Sequence, residues 1–368
     1  MLKSSKLLLA LAFSLLLSSV SLYSSAQENT PASGESTVEK AFNASEVIFH
    51  HILDAHEFHF ISWKGGDGAV HELAIPLPVI LYSKQRGVSF FNFSKLHEGA
   101  IYNGYKSDAE GKILAVKEDG SIDETVSLID FSLTRNVVQM ILSLALLVWL
   151  MVSIGNSYKS GQGVTSAPKG KQSLLEPVIT FVRDEVAKPN LGHNYEKYLP
   201  YLLTVFFFIL INNIVGLIPG TANVTGNIAF TVILGVISFV VIIFSSNKHY
   251  WGHILNPPGV PGWVKVILVP VEILGVFTKP FALIIRLFAN MVAGHIIIIC
   301  LISLIFIFAE MSTAVAWGIS PLSIGFSIFI YFIEVLVAFL QAFIFTMLTA
   351  VFIGQAMEGA HTDEAHAH

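Results

Sequence analysis

Residues 199–247 contain no Asp, Glu, Lys or Arg. Water-soluble domains do not sustain a charge-free run of that length, because a folded surface needs polar cover. Such a run is solvated by lipid, where every backbone N–H and C=O must be satisfied within the chain, and the helix is the local solution. Pro219-Gly220 to Gly226 divides the run into two spans. Composition agrees, with 54% apolar and 13% charged residues in a chain of 368, where soluble domains carry about a quarter charged.

The other apolar segments follow the same logic. Residues 137–154 form an uninterrupted apolar helix near the minimum crossing length of about 18 residues. Residues 263–309 are too long for one upright span and carry Lys265, Glu272, Lys279 and Arg286. They read as a bent, strongly tilted helix pair broken at Pro270 and Pro280. Residues 321–353 form a further long helix with one acid, Glu334. The expected fold is an all-α membrane protein of about five crossing helices, two of them long and tilted, with a small N-terminal extramembrane domain.

Lys3 and Lys6 precede an apolar stretch and then Ser24-Ser25-Ala26, the pattern of a secretory signal peptide over residues 1–26. Residues 27–130 are mixed in character, with Gly65-Gly66-Asp67-Gly68 as a turn and residues 89–93 and 112–116 as strands of an extracytoplasmic, periplasmic domain. Residues 131–357 are the membrane domain and 358–368 a polar tail. Lys159, Lys169, Lys171, Arg183, Lys188 and Lys197 make the 155–198 loop the most basic, and Lys248 opens another polar turn. The positive-inside rule makes both cytoplasmic. The N-terminus after cleavage is then periplasmic and the C-terminus cytoplasmic in a bacterial inner membrane.

Other chemistry is thinly represented. The single cysteine, Cys300, leaves no intrachain disulfide framework or cysteine metal site. There is no basic patch for nucleic acid and no glycine loop to cradle phosphate, so neither a nucleotide site nor a cofactor is expected on this chain. His50, His51, His56 and His59 with Asp54 and Glu57 form a dense cluster. Their spacing gives no clean ligand face, so a solvated surface is favoured over a metal site, and His361, His366 and His368 read as a polar tail.

The informative residues are the few polar ones inside the last two apolar segments, since an ionised side chain at a helix centre costs about 2.5–3.5 kcal/mol even on lenient scales. Glu272, Lys279 and Arg286 are spaced seven and seven, one stripe of a helix. Asn290 follows Arg286 at i+4 on the same side. His295, nine after Arg286, faces the opposite way, and Glu334 and Gln341 share a face seven apart. Plain structural roles exist for several: Lys279 as a snorkelling anchor, Glu272 paired with Lys279, Asn290 and Gln341 as interhelical glue. Arg286 resists such a reading. Apolar residues flank it on both sides, and its guanidinium stays charged at any relevant pH.

The string Arg286-Leu287-Phe288-Ala289-Asn290-Met291-Val292-Ala293-Gly294-His295, preceded by Lys279-Pro280, resembles the signature helix of F-type ATP synthase subunit a, whose core is R-L-F-x-N-x-x-A-G. Gln341-Ala342-Phe343-Ile344-Phe345-Thr346-Met347-Leu348 is similar to the second signature of that family. Weaker similarity covers residues 213–219 and 222–225. The resemblance implies a proton-conducting stator subunit of a rotary ATP synthase membrane sector, with ATP chemistry on partner subunits. It implies a rotor ring of c-type subunits and b-type peripheral stalk subunits as partners. Arg286 would face the rotor carboxylates, with Asn290 and Gln341 near that interface and His295 and Glu334 lining the proton path. Many bacterial members carry an acid at the first of that last pair and His at the second; here the two stand exchanged. Glu272 and Lys279 match polar positions of secondary importance. The rival reading is a proton-coupled secondary transporter, which predicts internal repeats and a substrate pocket on broken helices, whereas the Arg286 segment has no repeat elsewhere in the sequence; a passive assembly scaffold is a third.

Overall fold

The computed structural model describes residues 54–64, 70–108, 111–117, 119–123, 125–163, 166–218, 220–257 and 259–357. The expected signal peptide, His50 and His51, the turn at residues 65–68 and the tail with its histidines lie outside the described residues.

The N-terminal part of the described chain is built from strands. β1 (Glu57–Lys64) and β2 (Val70–Pro76) form an antiparallel pair. β3 (Pro78–Ser83) lies between β4 (Gly87–Asn92) and β7 (Leu128–Asp130), antiparallel to both, and β5 (Tyr105–Ser107) pairs with β6 (Ile113–Ala115). Two of these are the strands expected near 89–93 and 112–116. Side chains of β3 alternate, so Val79 and Leu81 turn inward against Phe91, Phe93, Leu96 and Tyr105. Arg86 ties the region together: it donates to the carbonyls of Gly104 (2.7 Å) and Val116 (3.1 Å) and lies over the Tyr105 ring. Gly104 sits at φ +75°, and a Cβ there would strike the Arg86 guanidinium, so glycine is required twice over.

His56 corrects the expectation of a solvated histidine surface. Its ring is buried, stacks on Phe93 at 5.4 Å, and places Nε2 3.2 Å from Oδ2 of Asp130. Its sequence neighbours Asp54 and Glu57 are acidic, but Phe93 and Asp130 of β7 meet its ring from more than thirty positions away. Below it begins the first apolar helix, α1 (Arg135–Lys159). Thr134 at its N-cap makes no side-chain cap bond. The open N–H groups are met instead by segment 54–55: Arg135 N–H donates to the Ala55 carbonyl (2.9 Å) and Asn136 N–H to the Asp54 carboxylate (3.3 Å).

The remaining helices are α2 (Lys171–Phe181), a π turn (Val182–Ala187), α3 (Lys188–Leu191), α4 (Tyr195–Gly216), α5 (Ile228–Ser245), α6 (Lys248–Leu255), α7 (Gly262–Met311) and α8 (Thr313–Met357). Among the described residues five helical segments are long and apolar enough to cross a membrane: α1, the run from α2 to α4, α5, α7 and α8. The fold is that of an all-α membrane protein with a small strand-bearing N-terminal region.

Three details depart from the sequence reading. The basic 155–198 segment is largely helical, because Val182, Val186, Ala187 and Leu191 recur at a spacing that buries them in the helix core. Residues after Asn247 form α6 rather than a bare turn. Above all, α7 runs unbroken through Pro270 and Pro280. A proline removes one donor, whereas a break in hydrocarbon would strand a whole turn of backbone groups. At 1.5 Å per residue α7 spans about 75 Å, more than twice the ~30 Å hydrocarbon thickness, so it must lie strongly tilted.

α7 and α8 pack along each other, α8 also contacts α4, and α5 packs on α7. The shared core holds Leu202, Val205, Phe206, Leu283, Leu287, Ala342, Phe345 and Ile353. Close approach of α5 to α7 depends on Gly235, where a Cβ would run into the Ile284 side chain.

The Asp130–His56 contact carries a pH dependence. Burial alone would raise the Asp130 pKa, but hydrogen bonds from His56 and from the Ser132 hydroxyl and N–H outweigh it and hold the carboxyl below its ordinary value. A depressed carboxyl contributes stability that is whole above the unfolded pKa and lost as pH falls through the folded one. Hydrogen exchange of the β3 and β7 amides in the intact protein should therefore be slower in wild type than in Asp130→Asn near neutral pH. The difference should close below about pH 4.

Candidate functional site

The two long helices carry the polar residues of the membrane region on different faces. On α7, Leu283, Leu287 and Met291 are buried, while Glu272, Lys279, Arg286 and Asn290 lie exposed on the outward stripe. Arg286 has no hydrogen-bond or ion-pair partner among the described residues. One turn along, the Asn290 amide donates to Oε1 of Gln341 on α8 at 3.0 Å. Gln341 is 1% exposed, and its own amide nitrogen has no protein partner.

Two turns along from Arg286, α7 meets α8 at close range. Gly294 abuts Glu334, and a Cβ at that position would overlap Oε1 of the acid. Glu334 is 8% exposed, with Oε2 lacking a protein partner. His295 turns away from Arg286, as its nine-residue spacing requires, and its Nε2 lies 3.1 Å from the carbonyl of Gly216. Glu334 and Gln341 are both buried on one stripe of α8, with Ala338 fully buried between them.

The end of α4 and the turn after it brace this contact through backbone groups. Asn213 donates to the Ala338 carbonyl (3.2 Å), Asn223 to the Met291 carbonyl (3.4 Å), and Tyr331 to the Leu217 carbonyl (3.1 Å). Side-chain amides can reach those carbonyls while the helix bonds stay intact, because a carbonyl oxygen has two lone pairs. The structure thus brings together Asn290 with Gln341, Gly294 with Glu334, and His295 with the α4 terminus. It sets Arg286 apart on the outer face.

Lys279 and Glu272 are not paired with each other. Lys279 reaches α8, donating to Oε1 of Gln355 at 3.3 Å and lying over the Phe352 ring. Glu272 is exposed, and its charge is felt by Tyr250 of α6, whose phenol is held above its ordinary pKa by burial and by that carboxylate. Sequence reading missed the bracing residues Asn213, Asn223 and Tyr331, and Gly294 as the seat of Glu334. A usable signal did exist for Asn212-Asn213: two amides inside a run otherwise free of strongly polar groups.

Fold and site together define a multi-pass membrane protein that presents, among the described residues, an unpartnered arginine on a long apolar helix beside a buried polar contact. The ATP synthase A chain family model matches residues 137–354, and a model described as Domain of unknown function (DUF8433) matches residues 47–131. ATP synthase subunit a of Chloroherpeton thalassium is 49% identical over 243 residues, 65% of this chain and 71% of that protein. ATP synthase subunit a 2 of Chlorobium luteolum is 38% identical over 341 residues, 91% and 83% of the two chains. ATP synthase subunit a of Myxococcus xanthus is 40% identical over 247 residues, 65% and 78%. The chain belongs to the ATP synthase subunit a family.

The Gly294–Glu334 contact yields a direct prediction. Gly294→Ala should lower the thermal stability of the purified protein by about 1–3 kcal/mol equivalent, the usual range for overpacking. Shortening the acid with Glu334→Asp in the same chain should recover part of the loss, read as the midpoint of thermal unfolding.

Proposed function

We propose that this chain is the proton-conducting stator subunit of a rotary ATP synthase, and that Arg286 is the fixed charge that faces the rotor. The observation that carries the reading is the position of Arg286: exposed on the outer stripe of α7 between the apolar Ile285 and Leu287, and unpartnered among the described residues. An always-charged group placed there in lipid calls for a counter-charge from another chain. A ring of c-type subunits, each with a membrane carboxylate, supplies one. The guanidinium would hold each arriving carboxylate ionised and would block direct proton passage between two offset half-channels.

The other site residues take roles consistent with their surroundings. Asn290 and Gln341, bonded to each other one turn from Arg286, would order the rotor-facing surface. Glu334, buried, and His295, half-buried, would line one half-channel, with the acid on α8 and the imidazole on α7 exchanged relative to many bacterial relatives. Lys279 and Glu272 would serve the opposite end of α7, where Lys279 holds the end of α8. The strand-bearing region would lie in the periplasm and the C-terminus in the cytoplasm of a bacterial inner membrane, with b-type stalk subunits anchoring the complex. Each charge falling through 100 mV releases about 2.3 kcal/mol, so ATP synthesis on partner subunits needs several transfers per turnover and little leakage past Arg286.

ATP-driven acidification of inverted vesicles tests the reading. Arg286→Ala is expected to abolish pumping in a complex that still assembles and hydrolyses ATP. Undiminished pumping would remove Arg286 from the ion path.

A further inference from the structure

The three-stranded sheet keeps apolar residues on both of its faces. Its inner face packs Val79, Leu81 and Phe91 into the core. The strand register sets the outer face in two rows. Tyr82 of β3 stands opposite Val88 of β4 and Ile129 of β7, and Ile80 stands opposite Phe90. Phe131 completes the second row, since its N–H donates to the Ile80 carbonyl at 2.9 Å. Asp130, between Ile129 and Phe131, turns the other way to meet His56.

A sheet with one wet face alternates apolar inward with polar outward. Here the outward positions are apolar. Phe90 is 71% exposed and Phe131 63%, and Val88, Ile129 and Tyr82 are exposed with them. The serines of β3 and β4 point inward instead: Ser83 is buried, and Ser89 Oγ lies 3.3 Å from the hydroxyl of the core residue Tyr105. No acidic side chain stands in either row, and Lys84 lies at the β3–β4 turn where the rows end.

Area separates the possible occupants. The five exposed side chains leave on the order of 500 Å² of apolar surface, against roughly 800 Å² that each partner of a stable protein pair contributes. Such a patch is nonetheless large for a surface that meets only water. A lipid leaflet demands neither a minimum area nor a matched shape, and its headgroup layer takes up aromatic side chains.

The leaflet is also close. No free linker separates the sheet from the first crossing helix: Ile80 N–H donates to Ser132 Oγ (3.0 Å), Leu133 N–H donates to the Pro78 carbonyl (3.3 Å), and Arg135 opens α1. α1 has 25 residues, about 37 Å at 1.5 Å per residue. It overfills a ~30 Å hydrocarbon core, so its head stands in the headgroup layer. Phe131 is four residues from that head, at most about 14 Å of chain.

We propose that the outer face of the β4–β3–β7 sheet is a lipid-binding surface, which beds the strand-bearing region on the leaflet through Tyr82, Val88, Phe90, Ile129 and Phe131. The sheet lies along the membrane surface, its aromatic side chains reach the boundary of headgroups and acyl chains, and Lys84 meets lipid phosphate at the rim. Because β7 leads into α1 without slack, this seat fixes the head of the first span. The proposal rests on α1 crossing the membrane and is independent of the role of Arg286.

The test uses the assembled complex in native membranes, with a photo-reactive benzophenone side chain introduced at position 90 and, as a control, at position 106. Lys106 is exposed on β5, beside the buried Tyr105 and across the core from the outer face. Mass spectrometry of the illuminated chain should find phospholipid adducts at least about fivefold more often at position 90 than at position 106. An adduct with protein at position 90, whether a second copy, another subunit or another segment of this chain, overturns the proposal. So does the absence of any adduct, the result for a side chain in water. Should the benzophenone variant fail to assemble, Val88→Cys in a Cys300→Ser background carries a polarity-sensitive fluorophore in the reconstituted complex, with the other reactive cysteines removed. Lipids spin-labelled just below the headgroup should quench it at least about twofold more than the same label at Lys106→Cys, and equal quenching refutes the lipid seat. Neither readout depends on ATP-driven pumping, so a failure of the Arg286 reading leaves this result standing.

Discussion

A guanidinium that cannot lose its proton, exposed between apolar neighbours without a partner among the described residues, is the constraint around which this structure is arranged. Arg286 itself stands exposed on α7, with no other described residue bonded to it. The inward residues Leu283, Ile284, Leu287 and Met291 carry much of the packing against α4, α5 and α8. The length of α7 follows from the same demand. A helix of about 75 Å lying steeply in the bilayer exposes a long lateral face where an upright span would expose a short one.

Holding polar groups inside such a bundle requires that they be fixed without breaking the helices that carry them. Here the fixing is done by backbone carbonyls: those of Ala338 and Met291 inside the long helices accept from Asn213 and Asn223, and those of Leu217 and Gly216 at the end of α4 accept from Tyr331 and His295. The close seat of Glu334 on Gly294 works in the same direction, since the missing side chain on one helix is what admits the acid from the other. The short connection at Ser312 keeps α7 and α8 side by side, so the Asn290–Gln341 bond and the Glu334 seat stay in register across their shared length.

Much of the membrane fold was legible in the sequence, because absence of charge over long runs has one physical meaning in a folded chain. The outward stripe of Glu272, Lys279, Arg286 and Asn290 was readable from spacing alone, and so was the opposed direction of His295. Residue spacing could not reveal what depends on partners from distant segments. His56 looked like surface and is buried, stacked on Phe93 and bonded to Asp130 of β7. Lys279 looked ready to pair with Glu272 on its own helix and instead reaches Gln355. Pro270 and Pro280 looked like breaks, since proline rules learned in water underweight the cost of freeing backbone groups in lipid.

The central claim is that the Arg286 stripe meets another chain's carboxylate within the membrane. Ala289 lies on that stripe beside Arg286 and is exposed. The direct measurement is disulfide formation in native membranes between Ala289→Cys and a cysteine placed next to the membrane carboxylate of the rotor subunit, both in a Cys300→Ser background. The account predicts rapid cross-linking at this position and none from Leu142→Cys on the far surface of α1. No cross-link from Ala289→Cys in an assembled, ATP-hydrolysing complex would contradict it.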